Sequence, residues 1–176
     1  MRCRLVGSEM CIRDRTSPPQ PQTLSQVLGY PGGGYSGEST GGGGGAGGAG
    51  TSGSGSGAGN GGAGITVSNY GPYNGTFGAG GGGSQTGSFP ASQGNGGSPF
   101  AGHGTNSSNS EKNASGYANG GGGVREAGHP GGSATAGIFL MRTPDAVTIT
   151  LSSGNQTSGG GYKYVRTTSN GTISFS

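Results

Sequence analysis

The sequence predicts a mainly β protein without a helix, in which small antiparallel β elements sit among glycine-rich segments of polyglycine II type. Three observations predict it. Glycine supplies 48 of the 176 residues, too many for an ordinary side-chain core. From Gly41 to Gly62, every third position is glycine in seven cases of eight, against four of eight in each of the other two phases. The larger apolar residues are few, with no Trp, and gather in short alternating stretches that read as strands.

Taken in order, the chain opens on a segment that reads as foreign. Residues 5 to 15, Leu-Val-Gly-Ser-Glu-Met-Cys-Ile-Arg-Asp-Arg, match a reading frame of a transposon-based sequencing adapter, CTC GTG GGC TCG GAG ATG TGT ATA AGA GAC AGR. Residues 1–15 are therefore excluded from fold reasoning, with the expectation that the protein's own N-terminus is missing. Residues 16–29, with Pro18, Pro19 and Pro21, read as a Pro/Gln/Ser linker. Residues 30–145 read as one glycine-rich domain, and residues 146–176 as the β-rich start of a following module.

Within the glycine-rich domain, the three-residue repeat lacks the prolines and the strict glycine of collagen. Polyglycine II shares its three-residue turn. Without side chains, such segments pack closely through N–H···O and weak Cα–H···O bonds. Ile65 to Tyr70 alternates at period two and predicts a strand. Gly71-Pro72-Tyr73-Asn74-Gly75 carries turn chemistry, and Thr76-Phe77 returns as the partner strand of a hairpin. Ile138-Phe139-Leu140-Met141 predicts a buried strand ended by Thr143-Pro144. Ala146 to Ser152 alternates, with Val147, Ile149 and Leu151 on one face. Tyr162 to Arg166 and Thr172 to Phe175 flank Ser169-Asn170-Gly171 and predict a hairpin.

Composition excludes several functions. Both cysteines, Cys3 and Cys11, fall in the adapter-like segment, so neither a disulfide nor a thiolate site is expected. That segment also holds four of the nine basic and two of the six acidic residues, leaving five against four and a net charge near +1. The sequence pI of about 9.1 thus gives no basis for nucleic-acid binding. No apolar run is long enough for membrane insertion as a helix. Arg125 and Arg142 stand isolated, without the Arg-Gly-Gly interleaving of RNA-binding tails.

Catalytic and metal-binding patterns fail for stated reasons. Gly57-x-Gly59-x-x-Gly62 and Gly59-x-Gly61-x-x-Gly64 fit a dinucleotide fingerprint, but glycine precedes them, a strand follows, and no acid occurs between Glu38 and Glu111. His103 and His129, with Glu126 near the second, are too few and too dispersed for a metal site. Asp145 is the one aspartate outside residues 1–15, which excludes a calcium-binding solenoid. No Ser sits at a strand-to-helix elbow, so no catalytic residue is assigned and no enzyme activity or cofactor is expected.

The order of blocks carries a resemblance. A glycine block (Gly41 to Gly50) leads through Gly61-Gly62-Ala63-Gly64-Ile65-Thr66-Val67-Ser68 to Thr76-Phe77-Gly78-Ala79-Gly80-Gly81-Gly82-Gly83. A second block, Ala118-Asn119-Gly120-Gly121-Gly122-Gly123, leads to Gly131-Gly132-Ser133, then Gly137-Ile138-Phe139-Leu140-Met141-Arg142 and Gly161-Tyr162-Lys163-Tyr164. From Tyr30 to Ser176 this resembles the glycine-rich domain of bacteriophage tail-fibre and appendage proteins. Departures are Ala134-Thr135-Ala136 before the Ile138 strand, Thr143 in place of an aromatic after Arg142, and Arg166-Thr167 in the final hairpin. The resemblance implies a non-enzymatic structural and adhesion module of a virion appendage or other extracellular surface. It would present glycine-rich loops to a bacterial-surface polysaccharide or outer-membrane protein, and a homotrimer is an assembly such fibres allow.

Tyr70, Tyr73, Phe89, Phe100 and Tyr117 are the candidate receptor-contact residues, because aromatics on loops of a rigid scaffold stack on sugars or fill receptor pockets. Their alternative use is to fill gaps between glycine segments, the default for scarce apolar residues. Two other functions compete with adhesion: a polyglycine II-type ice- or surface-binding protein, which needs one regular face of small residues, and a disordered Gly/Ser spacer.

Overall fold

A computed structural model of the chain describes residues 29–55, 57–85, 93–105, 112–124 and 130–176. The adapter-like residues 1–15, the linker up to residue 28, and Phe89, Arg125, Glu126 and His129 lie outside the described residues. Among the described residues seven short strands follow in order: β1 (Ile65–Val67), β2 (Gly75–Phe77), β3 (Phe139–Pro144), β4 (Ile149–Leu151), β5 (Asn155–Gly159), β6 (Tyr162–Thr167) and β7 (Ile173–Phe175). They form three small antiparallel sheets, β1-β2, β3-β6-β5 and β4-β7. A single 3-10 turn, Gly71–Tyr73, lies between β1 and β2. The fold is mainly β, as the sequence predicts.

Between Tyr30 and Ala136 the glycine segments bond to one another at three-residue intervals. Tyr30 and Gly33 N–H donate to the carbonyls of Gly45 and Gly42. Gly59 and Gly62 donate to Thr40 and Gly43, again three apart on both sides. The segment 78–84 lies at the centre, and its three phases point three ways. The carbonyls of Gly78, Gly81 and Ser84 accept from Ala46, Gly43 and Thr40. Gly80 and Gly83 donate to Gly62 and Gly59 and accept from Gly97 and Gly94. Ala79 and Gly82 accept from Gly120 and Gly123, while Gly82 donates to Gly102. One segment thus serves five neighbours, the hydrogen-bond repeat of a three-residue helix with no internal bonds.

The glycine phase read from the sequence has a steric cause. A Cβ added at Gly41, Gly44, Gly47, Gly50, Gly53, Gly59 or Gly62 would run into a neighbouring backbone. In the other phases the result is mixed: Gly42, Gly45, Gly61 and Gly64 would also meet backbone, whereas at Gly43 and Gly48 the nearest atom would be 3.5 Å away, ordinary van der Waals contact. Burial of so much backbone is tolerable because its N–H and C=O groups find partners in the adjacent segments.

The first hairpin forms with the expected partners, Ile65 opposite Phe77 and Val67 opposite Gly75, and the Thr66 and Thr76 hydroxyls meet at 3.1 Å. Its first strand stops at Val67, short of the expected Tyr70. Asn69 has a φ of 68°, which turns the backbone out of the strand, and Asn74 Oδ1 accepts from Tyr70 N–H to close the turn.

Four expectations for the C-terminal part are corrected. β3 runs through Thr143 to Pro144 instead of ending before them; it is an edge strand, where a missing N–H is tolerated. The 146–152 strand shrinks to Ile149–Leu151, since Asp145 and Ala146 form a turn closed by Val147 N–H donating to Pro144 O. β6 and β7 do not form the hairpin expected around Ser169-Asn170-Gly171. Both edges of β6 are taken, by β3 and β5, and β7 instead pairs with β4, Ile149 opposite Phe175. β5 was not expected at all. It joins β6 through a two-residue turn at Gly160 (φ 60°) and Gly161 (φ 79°), the positive-φ pair of a type I′ hairpin. Because β3 pairs with β6, the expected boundary at residue 145 falls within one sheet, with β3 on one side and β5 and β6 on the other.

The side-chain core lies where the β1-β2 hairpin meets β3. Val67, Tyr70, Phe77, Ile138 and Leu140 are buried together, with Tyr73, Tyr117 and Tyr164 packed against them. On the opposite face of the β3-β6 ladder, Met141 faces Val165, which is 0% exposed.

Candidate functional site

Of the five aromatic candidates, four are described, and they separate by burial. Tyr70 is 7% exposed and sits in the core, out of reach of a receptor. Tyr73 and Tyr117 are half-buried against that core. Phe100 is 48% exposed. Phe89 lies outside the described residues.

Phe100 stands on a tight loop between two anchored glycine segments. On one side Gly94 and Gly97 donate to the central segment at Gly83 and Gly80; on the other Gly102 and Thr105 donate to Gly120 and Gly123. The turn is closed by Ala101 N–H donating to Ser98 O (3.1 Å) and by Phe100 N–H donating to Ser98 Oγ (3.2 Å). Ser115 N–H then ties the Phe100 carbonyl to the next loop at 2.8 Å. The exposed ring is therefore held on a fixed backbone.

Phe100 borders a groove of about 520 Å³, together with Gln93, Asn95, His103, Asn113 and Ser115. Among the described residues that line it there is no acid, lysine or arginine. His103 Nδ1 lies 3.3 Å from Asn95 Oδ1 and 3.4 Å from the Gly96 N–H, so its contacts are an amide and backbone, not a hydroxyl nucleophile. Asn95 is fixed in turn by its own N–H, which donates to Asn60 Oδ1 at 2.8 Å. The chemistry on offer is one apolar ring face flanked by amides and a hydroxyl, the set that recognises a neutral polar ligand by stacking and hydrogen bonding.

A second opening, of about 570 Å³, lies between glycine segments. Its polar side chains are already engaged: Thr40 with Ser84, Asn119 with Ala79 and Ser115, Thr135 with Asn119. Among the described residues no group of three His, Cys, Asp or Glu side chains comes together.

Sequence reading missed a strip of arginines and tyrosines. Along β6, Tyr162, Tyr164 and Arg166 share one face, and Arg142 lies opposite Tyr164 on β3. The Arg142 guanidinium stacks over Tyr162 at 4.4 Å and donates to Asn69 O at 3.1 Å. Arg166 lies 5.0 Å from the Tyr73 ring centre and 5.1 Å from that of Tyr117. The signal was present in the alternation Tyr-x-Tyr-x-Arg at 162–166, but its cationic role needs Tyr73 and Tyr117, which lie far away in the sequence. Arg142, isolated in the sequence, is stacked in the fold.

Compared with protein-family models, curated proteins and solved structures, the chain finds no match.

Proposed function

We propose that the chain is a non-enzymatic structural and adhesion module of a bacteriophage tail fibre or related virion appendage, acting outside the cell to hold loops against a bacterial surface. The observation that carries this reading is the Phe100 loop. Backbone bonds to the central glycine segment fix it on both sides, and it bears a half-exposed ring over an amide-lined groove. Rigid presentation lowers the ordering cost of binding. Repetition on a particle then turns weak single contacts into firm attachment. The block order that resembles phage appendage domains supports the same reading. The inter-segment hydrogen bonds weigh against a flexible spacer.

Pull-down of the labelled full chain by a panel of Gram-negative cells and their extracted surface polysaccharides tests the proposal. Binding to at least one strain, weakened about tenfold or more by Phe100→Ala with the fold unchanged, is expected for a hot-spot aromatic. Equal binding by the wild type and Phe100→Ala would remove the groove from the mechanism. Binding to no cell and no polysaccharide would remove adhesion.

A further inference from the structure

We propose that the strip formed by Arg142, Tyr162 and Arg166 is a second binding site, which takes a saccharide bearing a carboxylate. The inference goes beyond the adhesion reading and does not depend on it, since it concerns a different face and a different ligand charge.

Both guanidiniums are held, and neither meets a carboxylate among the described residues. The Arg166 guanidinium lies against the Tyr73 and Tyr117 rings and makes no hydrogen bond among the described residues. Arg142 rests on Tyr162 and spends one N–H on the Asn69 carbonyl. No carboxylate of the described residues pairs with either; Asp145, at the Tyr162 end of the strip, is tied there by its backbone N–H, which donates to Gly161 O. From residue 137 onward the chain carries three basic side chains against this one acid. Lys163 points to the other face, where Nζ donates to Val147 O at 2.6 Å.

A guanidinium has five N–H donors in one plane. Stacking occupies its faces and leaves its edge, which is the edge that grips a carboxylate through two parallel bonds. Half-burial among rings makes an unanswered charge costly, so an incoming anion gains more here than at a fully solvated arginine. The rings also fix both side chains before binding, which spares their rotamer entropy.

The ligand class follows from what accompanies the charges. Tyr162 is 38% exposed even with Arg142 over its ring, so apolar ring surface remains beside the guanidinium, which an inorganic ion does not use and a sugar ring does. A phosphate dianion calls for several converging donors, commonly a backbone nest or helix N-terminus; the strip offers separate guanidinium edges along β6. A singly charged carboxylate on a sugar suits that arrangement better.

The experiment is titration of the full chain with an oligogalacturonate, followed by the arginine side-chain Nε–H signals in NMR spectra. A neutral gluco-oligosaccharide and glucose 6-phosphate serve as comparisons. The oligogalacturonate is expected to move the Arg142 and Arg166 signals and to bind at least about tenfold more tightly than the neutral sugar. Arg142→Gln and Arg166→Gln should each weaken it by a similar factor, and Arg166→Lys should fail to restore it, because an ammonium lacks the fork. Should Arg166→Gln unfold the junction, the wild-type signals and Arg142→Gln decide alone. Equal affinity for acidic and neutral sugars, tighter binding of the sugar phosphate, unmoved arginine signals, or full affinity in Arg142→Gln would each overturn the proposal.

Discussion

Gly81 shows what a single residue contributes to this scaffold. It is buried in the central segment, and a Cβ placed on it would overlap the Gly121 carbonyl. Gly137 is exposed, with nothing within 4 Å of where its Cβ would lie. Gly81→Ala is expected to cost at least about 1–3 kcal/mol, the range for overpacking, and to lower Tm by roughly 2–4 °C per kcal/mol for a chain of this size. Gly137→Ala should stay within about 0.5 kcal/mol of the parent, since it touches nothing and stiffens the unfolded chain. A pair of thermal melts checks both. Equal Tm values would mean that the close approach of the segments does not support the fold. At this scale the sequence was legible in part: every glycine of the phase that held seven of eight would meet a neighbouring backbone as alanine, but so would Gly42, Gly45, Gly61 and Gly64 of the other phases.

At the scale of elements, legibility depended on whether a strand has an apolar face. The β1-β2 hairpin and β3 announced themselves through Ile65, Val67, Phe77 and the Ile138 to Met141 run, which supply most of the buried cluster. β5 is Asn-Gln-Thr-Ser-Gly and wholly exposed, so no hydrophobic alternation marked it. Its turn was hidden inside the glycine run 159–161. Ser169-Asn170-Gly171 gave a strong hairpin signal that failed because pairing is decided by the edges a strand has free, and β6 has none. The Gly160-Gly161 turn provides the test. Gly161→Ala places a β-carbon at a φ of 79° and should cost about 1–2 kcal/mol. Gly160→Asn, at 60°, should cost less, because Asn enters the left-handed region more readily. Chemical denaturation that ranked the two the other way would contradict the type I′ assignment.

For the whole molecule, the glycine bundle and the C-terminal strands act on each other through a small contact. Tyr164 packs on Gly71 and on the core, and Arg166 lies against Tyr73 and Tyr117. Ending the chain after Asp145 removes the partner of β3 along with both side chains. The expected loss exceeds about 3 kcal/mol, from one buried aromatic and the ladder bonds, and denaturant midpoints of the two chains measure it. Hydrogen exchange gives a second test: the amides of Gly80, Gly82 and Gly83, each bonded to another segment, should exchange among the slowest glycines, while Gly29 and Gly137 exchange fast. Uniformly fast glycines would point to a chain ordered only at its strands. The candidate sites sit unevenly on this map. Phe100 was legible as an aromatic on a glycine loop. The arginine strip was not, because its rings come from three distant parts of the chain.

The central segment has a mechanical consequence. Its bonds run sideways to five neighbours, some of which travel in the opposite direction. A pull along its length therefore loads those bonds in shear and all at once, where a hairpin pulled at one end opens bond by bond. Torn loose from a moving surface, such a body would give way first at its loops and terminal strands, and last at the stretch of chain with almost no side chains at all.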